Sequence, residues 1–369
     1  MKIIIAPDSF KESLDAFRVA EALGKGLSKA FPRAELDLMP LADGGEGTRA
    51  VIARQLGLQE ACVPVTGPYG EVVSFPYSIG GGTALVEVAE LIGLGLIPMD
   101  KRDPLKIETR GLGEGILHLA KQGVTNLYVG IGGTASHDGG IGLAAGLGYR
   151  FLDGAGRELA PIGANLGLVA QVVEPLARPW EQMDICLLTD VQNPLVGRTG
   201  ATFTFAGQKG LAENAFESCD RDLEHFYRLV NRDMLLYPGA GAGGGLAAGF
   251  LTFTNARLSQ GIETILSMLS FEERVRDADL VIVGEGRLDW QSLSGKAPMG
   301  VARRTPSGVP VLAVCGMLDA VLPVENILGA YAIMDWAASK EDAMKHAADY
   351  LERIGEGMKK DPLVQGLAE

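Results

Sequence analysis

Clustered glycine is the feature that most constrains how this chain can fold. Glycine accounts for 50 of the 369 residues, about twice the usual level of about 7%. No three-residue period is present, so a collagen-like helix is excluded. Instead, glycines and acidic residues gather in short segments where a strand should end or a helix should begin. These segments are 41–48, 130–140, 188–194, 238–245 and 284–296. Such clustering indicates shaped loops rather than a low-complexity polymer.

Short apolar runs near both chain ends predict strands of a parallel sheet. The runs at 279–283 and 309–314 are each followed by glycine, polar residues and a helical pattern, as expected for strands buried on both faces. A first strand over 2–6, a helical spacing from Val19 to Phe31 and a second strand over 35–39 form the opening of a βαβ unit.

The middle of the chain has a different pattern. Residues 71–79 and 83–88 flank a glycine turn and predict an antiparallel hairpin. Helices are predicted over 109–121 and 211–236, and a strand over 126–131. We therefore predict an α/β protein with a discontinuous, doubly wound, Rossmann- or flavodoxin-like domain from residues 1–62 plus 276–369. A second, mixed α/β domain over 63–275 is inserted, and a cleft is expected between the two. A simple split into two halves is the alternative.

Charge and cysteine usage narrow the functional classes. The net charge of −13 argues against nucleic acid or an anionic membrane surface as partner. No apolar stretch reaches the length of a membrane span, and the apolar start is too short for a signal peptide. The four cysteines lie far apart without a C-x-x-C pair, which favours reduced thiols and a cytoplasmic location.

The loop segments match the needs of phosphoryl transfer. Backbone N–H groups can hold phosphate oxygens, carboxylates can hold Mg²⁺, and a further carboxylate can orient or deprotonate the accepting hydroxyl. Each segment also has a structural interpretation. Asp43 could cap a turn, His137 is better explained as a loop hydrogen-bonder, and the G-x-G-x-x-G at 239–244 follows a helical pattern and suits close packing.

The absence of several sequence motifs disfavours several enzyme classes. The sequence contains no P-loop, no H-E-x-x-H, no G-x-S-x-G and no protein-kinase H-R-D set. The first strand also lacks a Rossmann glycine fingerprint. P-loop kinases, zinc hydrolases, α/β-hydrolases and ordinary dehydrogenases are therefore disfavoured.

Taken in order, the segments resemble the bacterial glycerate kinase family, whose members are mostly glycerate 2-kinases. The resemblance rests on 6–14, 42–48, 130–140, 189–195, 208–210, 238–241 and 284–296. It implies ATP-dependent, Mg²⁺-assisted phosphorylation of D-glycerate, most often on the 2-hydroxyl, and a two-domain α/β fold.

The chain departs from the family pattern at several positions. The family usually has Gly where Glu12 stands, and it differs at 134–137 and 205–207. The largest departure is at 89–94, where the family usually has Ala-Ser-Gly-Leu. A change in this segment bears on substrate preference.

The resemblance and the loop chemistry together suggest roles for individual residues. Asp190, Lys296 and Lys11 are the candidate catalytic residues, with Asp190 orienting or deprotonating the hydroxyl. The candidate metal ligands are Asp43, Asp289 and Glu285. The candidate substrate- and phosphate-binding residues are Asp8, Ser9, Gly44, Gly45, Gly132, Gly133, Ser136, Lys209, Arg287 and Ser292.

Three alternatives stay open from the sequence. The chain could be a kinase for another small hydroxy acid, a glycerate 3-kinase, or a non-catalytic protein that binds a small anion or nucleotide. Acidic residues beside the glycine loops disfavour the pure anion binder, because they would repel its ligand. The expected partners are D-glycerate and ATP, with a homodimer as one candidate assembly.

Overall fold

The computed structural model describes residues 1–42, 44, 45, 47–289 and 297–368. The chain forms two compact units. Unit 1 comprises residues 1–43, 54–56 and 262–369, and unit 2 comprises 44–53 and 57–261. The domain boundaries predicted at 62/63 and 275/276 remain predictions. The chain passes from one compact unit to the other near residues 43 and 261.

Unit 1 is built on one parallel sheet. Its strands are β1 (Lys2–Pro7), β2 (Glu35–Leu38), β11 (Leu280–Leu288), β12 (Val311–Leu318) and β13 (Ile327–Ala332). They are ordered β13-β12-β11-β1-β2, and every pairing is parallel. The successive side chains Ile3, Ile4 and Ile5 are all fully buried. Because neighbouring strand residues point to opposite faces, this burial means that both faces of the sheet are covered.

Helices cover the sheet of unit 1. They are α1 (Ala16–Ala30), α8 (Gly261–Met268), α9 (Phe271–Val275), α10 (Ala297–Arg304), α11 (Lys340–Lys345), α12 (Ala347–Gly357) and α13 (Pro362–Ala368). Asp15 caps α1 by accepting a hydrogen bond from the amide of Arg18. On one face, Leu23 and Leu27 of α1 and Leu351 of α12 share a core with Ile5 and Ile282. Helix α2 (Thr48–Leu56) contributes residues to both units.

Unit 2 has a mixed sheet in the order β10-β9-β6-β5-β4-β3. The strands are β3 (Gln59–Thr66), β4 (Val72–Gly80), β5 (Thr83–Glu87), β6 (Asn126–Gly130), β9 (Asp184–Leu188) and β10 (Ala256–Ser259). Strands β5, β6, β9 and β10 are parallel, whereas β3 and β4 add antiparallel pairs at one edge. A separate antiparallel pair joins β7 (Arg150–Leu152) to β8 (Gln171–Val173). The predicted hairpin is present as β4 and β5.

Five helices complete unit 2: α3 (Ala89–Ile92), α4 (Arg110–Lys121), α5 (Ile141–Gly146), α6 (Phe216–Val230) and α7 (Leu246–Phe253). The predicted long helix over 211–236 is wrong, since α6 ends at Val230 and Asn231 has an extended backbone with φ −164°. Short 3-10 turns precede and follow α6. No helix among the described residues is long and apolar enough to cross a membrane.

Candidate functional site

The carboxyl ends of β1, β11 and β12 approach each other closely in unit 1. The amide of Asp8 donates to the carbonyl of Gly284 over 2.9 Å. A side chain at Gly316 would place its Cβ 2.5 Å from the carbonyl oxygen of Gly286. Glycine is therefore required where these strands end, because no larger residue fits between the backbones. The close approach brings residues 8–13, which follow β1, and residues 285–289, at the end of β11, to one place.

Residues of these two segments help to line a cavity of about 410 Å³. Its polar and charged lining residues are Asp8, Ser9, Lys11, Glu12, Ser13, Glu285, Arg287, Asp289 and Lys340. Its apolar lining residues are Phe10, Met317, Ile333, Met334, Ala343, Met344 and Ala347, with Gly286 and Gly316 at the strand ends. A concave site of this size with mainly apolar walls and a few charged groups is typical of small-molecule binding.

The cavity brings together many of the predicted site residues. Asp8, Ser9, Lys11, Glu285, Arg287 and Asp289 all line it. The guanidinium of Arg287 lies between two carboxylates, with Nε 2.7 Å from Asp319 and 3.8 Å from Asp289. Lys340 lines the same cavity from the start of α11 and was missed. No local motif marks it, because α11 reaches the site only through the topology of the sheet.

Unit 2 gathers a second set of loops at the carboxyl ends of its parallel strands. An added Cβ at Gly44 would lie 3.0 Å from Gly261 and 3.5 Å from Leu188, and one at Gly132 would lie 3.7 Å from Gly45. Gly241 similarly packs on the carbonyl of Pro194, 2.3 Å from its added Cβ. Four of the five predicted glycine loops therefore meet in unit 2, and the fifth belongs to unit 1.

In the loop after β6, some backbone amides donate hydrogen bonds within the protein and others do not. Asp138 accepts hydrogen bonds from the amides of Gly140 (2.9 Å) and Gly142 (3.3 Å), so it already satisfies the first turn of α5. Among the described residues, none accepts a hydrogen bond from the amides of Gly132, Gly133 or Ser136. Gly133 is exposed and Gly132 half-buried. The amides of Gly132 and Gly133 are therefore accessible to an anion.

Buried polar side chains contact the backbone of this loop. Lys209 is only 3% exposed, and its Nζ donates to the carbonyl of Ser136 over 2.6 Å. Burial lowers the pKa of Lys209 to about 7, against the opposing effect of the Asp138 carboxylate. The Oγ of Ser136 is fully buried and has no hydrogen-bond partner in the described part of the chain. Lys209, a candidate phosphate-binding residue, thus lies inside unit 2 with its Nζ atom on the backbone of the loop.

Two neighbours of Lys209 are also buried. The Nε2 atom of His137 lies 3.0 Å from Oγ1 of Thr202, and burial lowers the pKa of His137 to about 3. The ring is therefore neutral and acts as a hydrogen-bonding group of the loop. Burial raises the pKa of Asp138, whereas the hydroxyl of Thr109, at 2.7 Å, and two loop amides lower it.

Glu87 is a functional candidate that the sequence analysis missed. It ends β5 and is 2% exposed, and it accepts hydrogen bonds from the amides of Gly47 (2.8 Å) and Arg49 (3.3 Å). Burial raises the pKa of Glu87 to about 6 from its ordinary value of 4.5. Glu87 thereby fixes the start of α2 and the glycine loop before it. A carboxylate closing an otherwise apolar strand was the available signal.

The buried Arg49 connects the atypical 89–94 segment to this loop. Its guanidinium binds both carboxylate oxygens of Glu90 and donates to Ser78 Oγ over 2.7 Å and to Glu60. The same segment pairs with the amide loop, because Leu94 donates to the Gly133 carbonyl and Ala135 donates to Ile92, both over 2.8 Å. Residues 89–94 therefore set the position of Gly133 and its neighbours.

Asp190 lies at the carboxyl end of β9, as predicted. Its side chain is exposed, and Oδ1 accepts a hydrogen bond from the amide of Gly261 over 3.2 Å. Its neighbours Thr189 and Val191 line a second cavity of about 360 Å³. An exposed carboxylate beside a cavity can accept a proton from a bound hydroxyl.

The metal prediction is not tested by the described residues. Asp43, Ser292 and Lys296 lie outside them. Within residues 1–42, 47–289 and 297–368, no group of three or more His, Cys, Asp or Glu side chains could hold a metal ion.

Comparison with known proteins identifies the family. The sequence model of the Glycerate kinase family matches residues 3–361. The chain is 50% identical to a glycerate kinase of Neisseria meningitidis serogroup B, over 95% of this chain and 96% of that one. It is 40% identical to the glycerate 2-kinase of Escherichia coli K12, over 96% and 95% of the two chains.

A solved structure confirms the fold. A crystal structure from Salmonella typhimurium LT2, provisionally named glycerate kinase 2, superposes with a TM-score of 0.88 at 36% identity and covers 99% of both chains. The predictions of a doubly wound α/β domain with a second mixed α/β domain and of this family are both confirmed. The chain belongs to the glycerate kinase family.

Proposed function

We propose that this protein transfers the γ-phosphoryl group of ATP to the 2-hydroxyl of D-glycerate, giving 2-phosphoglycerate and ADP. The observation that carries the proposal is the exposed, unused amide loop Gly132–Gly133 beside acidic strand ends in unit 2. Membership of the glycerate kinase family supports the reaction class. The name of the Escherichia coli relative supports the 2-position.

Charge stabilisation and positioning are the tasks of the protein in such a reaction. The amides of Gly132 and Gly133 would bind anionic oxygens, since amide dipoles interact favourably with negative charge. Asp190 would accept the proton of the 2-hydroxyl as its oxygen attacks phosphorus and the bond to the ADP oxygen breaks. Lys209 would hold the amide loop through the Ser136 carbonyl, without touching substrate.

Mg²⁺ is the expected cofactor. The described carboxylates Asp8, Glu285 and Asp289 line one cavity, and Mg²⁺ is commonly held by one or two carboxylates plus substrate phosphates rather than by an all-protein cage. The residues present therefore fit the ion, with Glu285 and Asp289 as its ligands. When bound, Mg²⁺ neutralises charge that develops on the phosphates.

A cytoplasmic location completes the proposal. ATP is a cytoplasmic substrate, and none of the four cysteines, all of which lie in the described part of the chain, forms a disulfide, consistent with a reducing compartment.

A coupled assay of ADP release tests the proposed activity. The purified protein, ATP and Mg²⁺ are offered D-glycerate, L-glycerate, glycolate and D-lactate in parallel. We expect release that depends on D-glycerate. A preference for another acid would indicate a kinase of different specificity, and nucleotide binding without release would indicate a non-catalytic binder.

A further inference from the structure

The cavity of unit 1 lies where the order of its parallel strands reverses. The chain forms β1 and then β2 on one side, and it later adds β11, β12 and β13 on the other side. In a doubly wound sheet with this order, the crevice at the carboxyl ends of the two strands at the reversal is a ligand site. Asp8 directly follows β1, and Asp289 directly follows β11, so both lie at this crevice.

The size of the cavity indicates which substrate it takes. Its volume of about 410 Å³ lies in the range of sites for drug-sized ligands. A three-carbon acid would leave most of this space unfilled, and unfilled apolar space gives little binding energy. ATP is the larger of the two proposed substrates.

The lining of the cavity contains groups suited to both the base and the phosphates of a nucleotide. Three of its residues, Met317, Met334 and Met344, form what we call the methionine wall, and Phe10 and Ile333 add further apolar surface. Thioether groups adapt to flat aromatic rings and contact them favourably. Lys11 and Lys340 provide positive charge on the same cavity. The wall is also fixed to the loop after β1, because Ser13 Oγ donates to the carbonyl of Met344 over 2.8 Å.

We propose that this cavity is the nucleotide site, with the purine base against the methionine wall and Lys340 as a phosphate ligand. The inference rests on the proposed function for the identity of the nucleotide. It goes further by assigning the nucleotide to unit 1 and by adding Lys340 and the methionine wall to the binding residues.

Filling the cavity tests the assignment. Met344 is half-buried in the wall, and Met344→Trp would occupy the space of the base. We expect the KM for ATP to rise about 10-fold or more, with the KM for D-glycerate changed by less than about 2-fold. Met99→Trp is the matched control, because Met99 is 79% exposed and lies outside the cavity lining.

A charge substitution gives a second readout that does not depend on repacking. Lys340→Ala should raise the KM for ATP about 3- to 5-fold, the effect of losing one exposed ionic contact. Lys345→Ala removes the same charge from the other end of α11, outside the lining, and should leave the KM unchanged.

Calorimetric titration with ADP in the absence of glycerate separates this inference from the proposed function. Wild-type protein should bind ADP, and Met344→Trp should weaken binding about 10-fold or more. If the protein binds ADP in this way but phosphorylates no acid, the proposed function fails and the nucleotide site stands.

Two results would overturn the nucleotide site. One is unchanged ADP affinity in both Met344→Trp and Lys340→Ala, with thermal unfolding showing that the variants are folded. The other is a selective rise in the KM for D-glycerate, which would place the acid in the cavity.

Discussion

Glu87 and Lys209 are buried ionisable residues of unit 2 that bind backbone groups far away in sequence. Glu87 is bonded to the amide of Gly47, and Lys209 is bonded to the carbonyl of Ser136, 73 positions away. A buried charge without such partners would be strongly destabilising. Each of these residues therefore fixes one loop of the candidate site. No spacing rule links the partners, which is why the sequence interpretation missed Glu87 and did not find the contact of Lys209 with Ser136.

The raised pKa of Glu87 predicts a specific pH dependence of stability. The ionised form is disfavoured in the folded protein, so the unfolded chain ionises first as the pH rises from 4.5 to about 6. Glu87 therefore lowers the free energy of unfolding across this window, by about 2 kcal/mol in total. Glu87→Gln cannot ionise. The stability difference, wild type minus variant, should fall by about that amount between pH 4.5 and 6.5 in urea unfolding curves.

Glu213→Gln serves as the control for Glu87. Glu213 is exposed, and its substitution should leave the pH profile of stability nearly parallel to that of the wild type. A Glu87→Gln difference that stays constant with pH would show that this carboxyl titrates normally in the folded protein.

Asp190→Asn tests the candidate base. Asparagine can still accept the hydrogen bond from the Gly261 amide, but it cannot take a proton from the hydroxyl. We expect kcat to fall about 100-fold or more with little change in stability. Steady-state kinetics and thermal unfolding provide the two readouts.

Asp184→Asn is the matched variant, because Asp184 begins the strand that Asp190 follows and is exposed at the opposite end. Its kcat should remain near that of the wild type. Near-normal turnover by Asp190→Asn would remove Asp190 as the base.

Secondary-structure elements could be predicted where burial left a periodic pattern. Strands β1, β11 and β12 are nearly continuous apolar runs because helices cover both faces of their sheet. Strand β3 was not predicted, since it lies at the edge of its sheet and most of its side chains are at least partly exposed. The helix over 211–236 was overextended because Met234 and Leu235 are buried after α6 has ended, which continues the apolar pattern.

The turn after β1 yields a prediction about backbone strain. Glu12 has a positive φ of 66°, a conformation that costs most residues about 1–2 kcal/mol. The family resemblance places glycine here, and glycine adopts this conformation without strain. Glu12→Gly should keep the free energy of unfolding or raise it by up to about 1 kcal/mol, and Glu12→Val should lower it by at least about 1 kcal/mol.

Urea unfolding of both variants measures the effect. Glu21→Gly provides the contrast, because Glu21 lies within α1, where glycine should cost about 1 kcal/mol. Equal losses from Glu12→Gly and Glu21→Gly would mean that Glu12 is not strained.

In the whole molecule, the order of the strands in each sheet determines which loops lie close together. Residues 6–14 and 284–289 are about three-quarters of the chain apart in sequence, yet β1 and β11 pair directly and bring them to one cavity. The discontinuous arrangement was predictable, because the apolar runs at both chain ends share the pattern of one parallel sheet. The cavity's methionine wall was not, since its residues come from three separate elements with no common motif.

The sequence identifies the family, whereas the roles of individual site residues stay predictions. Glycine loops after strands are visible in the sequence, and four of them meet at one sheet edge in unit 2. Which amides stay unused depends on Asp138, Ile92 and Pro104, whose contacts with the loop arise only in the folded chain.

Identifying the product formed from ATP and D-glycerate tests the proposed reaction directly. The protein is incubated with both substrates and Mg²⁺, and the phosphorus NMR spectrum is recorded as ATP is consumed. We expect stoichiometric ADP and 2-phosphoglycerate, with no signal from the 3-isomer. A spectrum in which D-glycerate stays unphosphorylated while the protein is folded and binds ADP would contradict the proposed reaction.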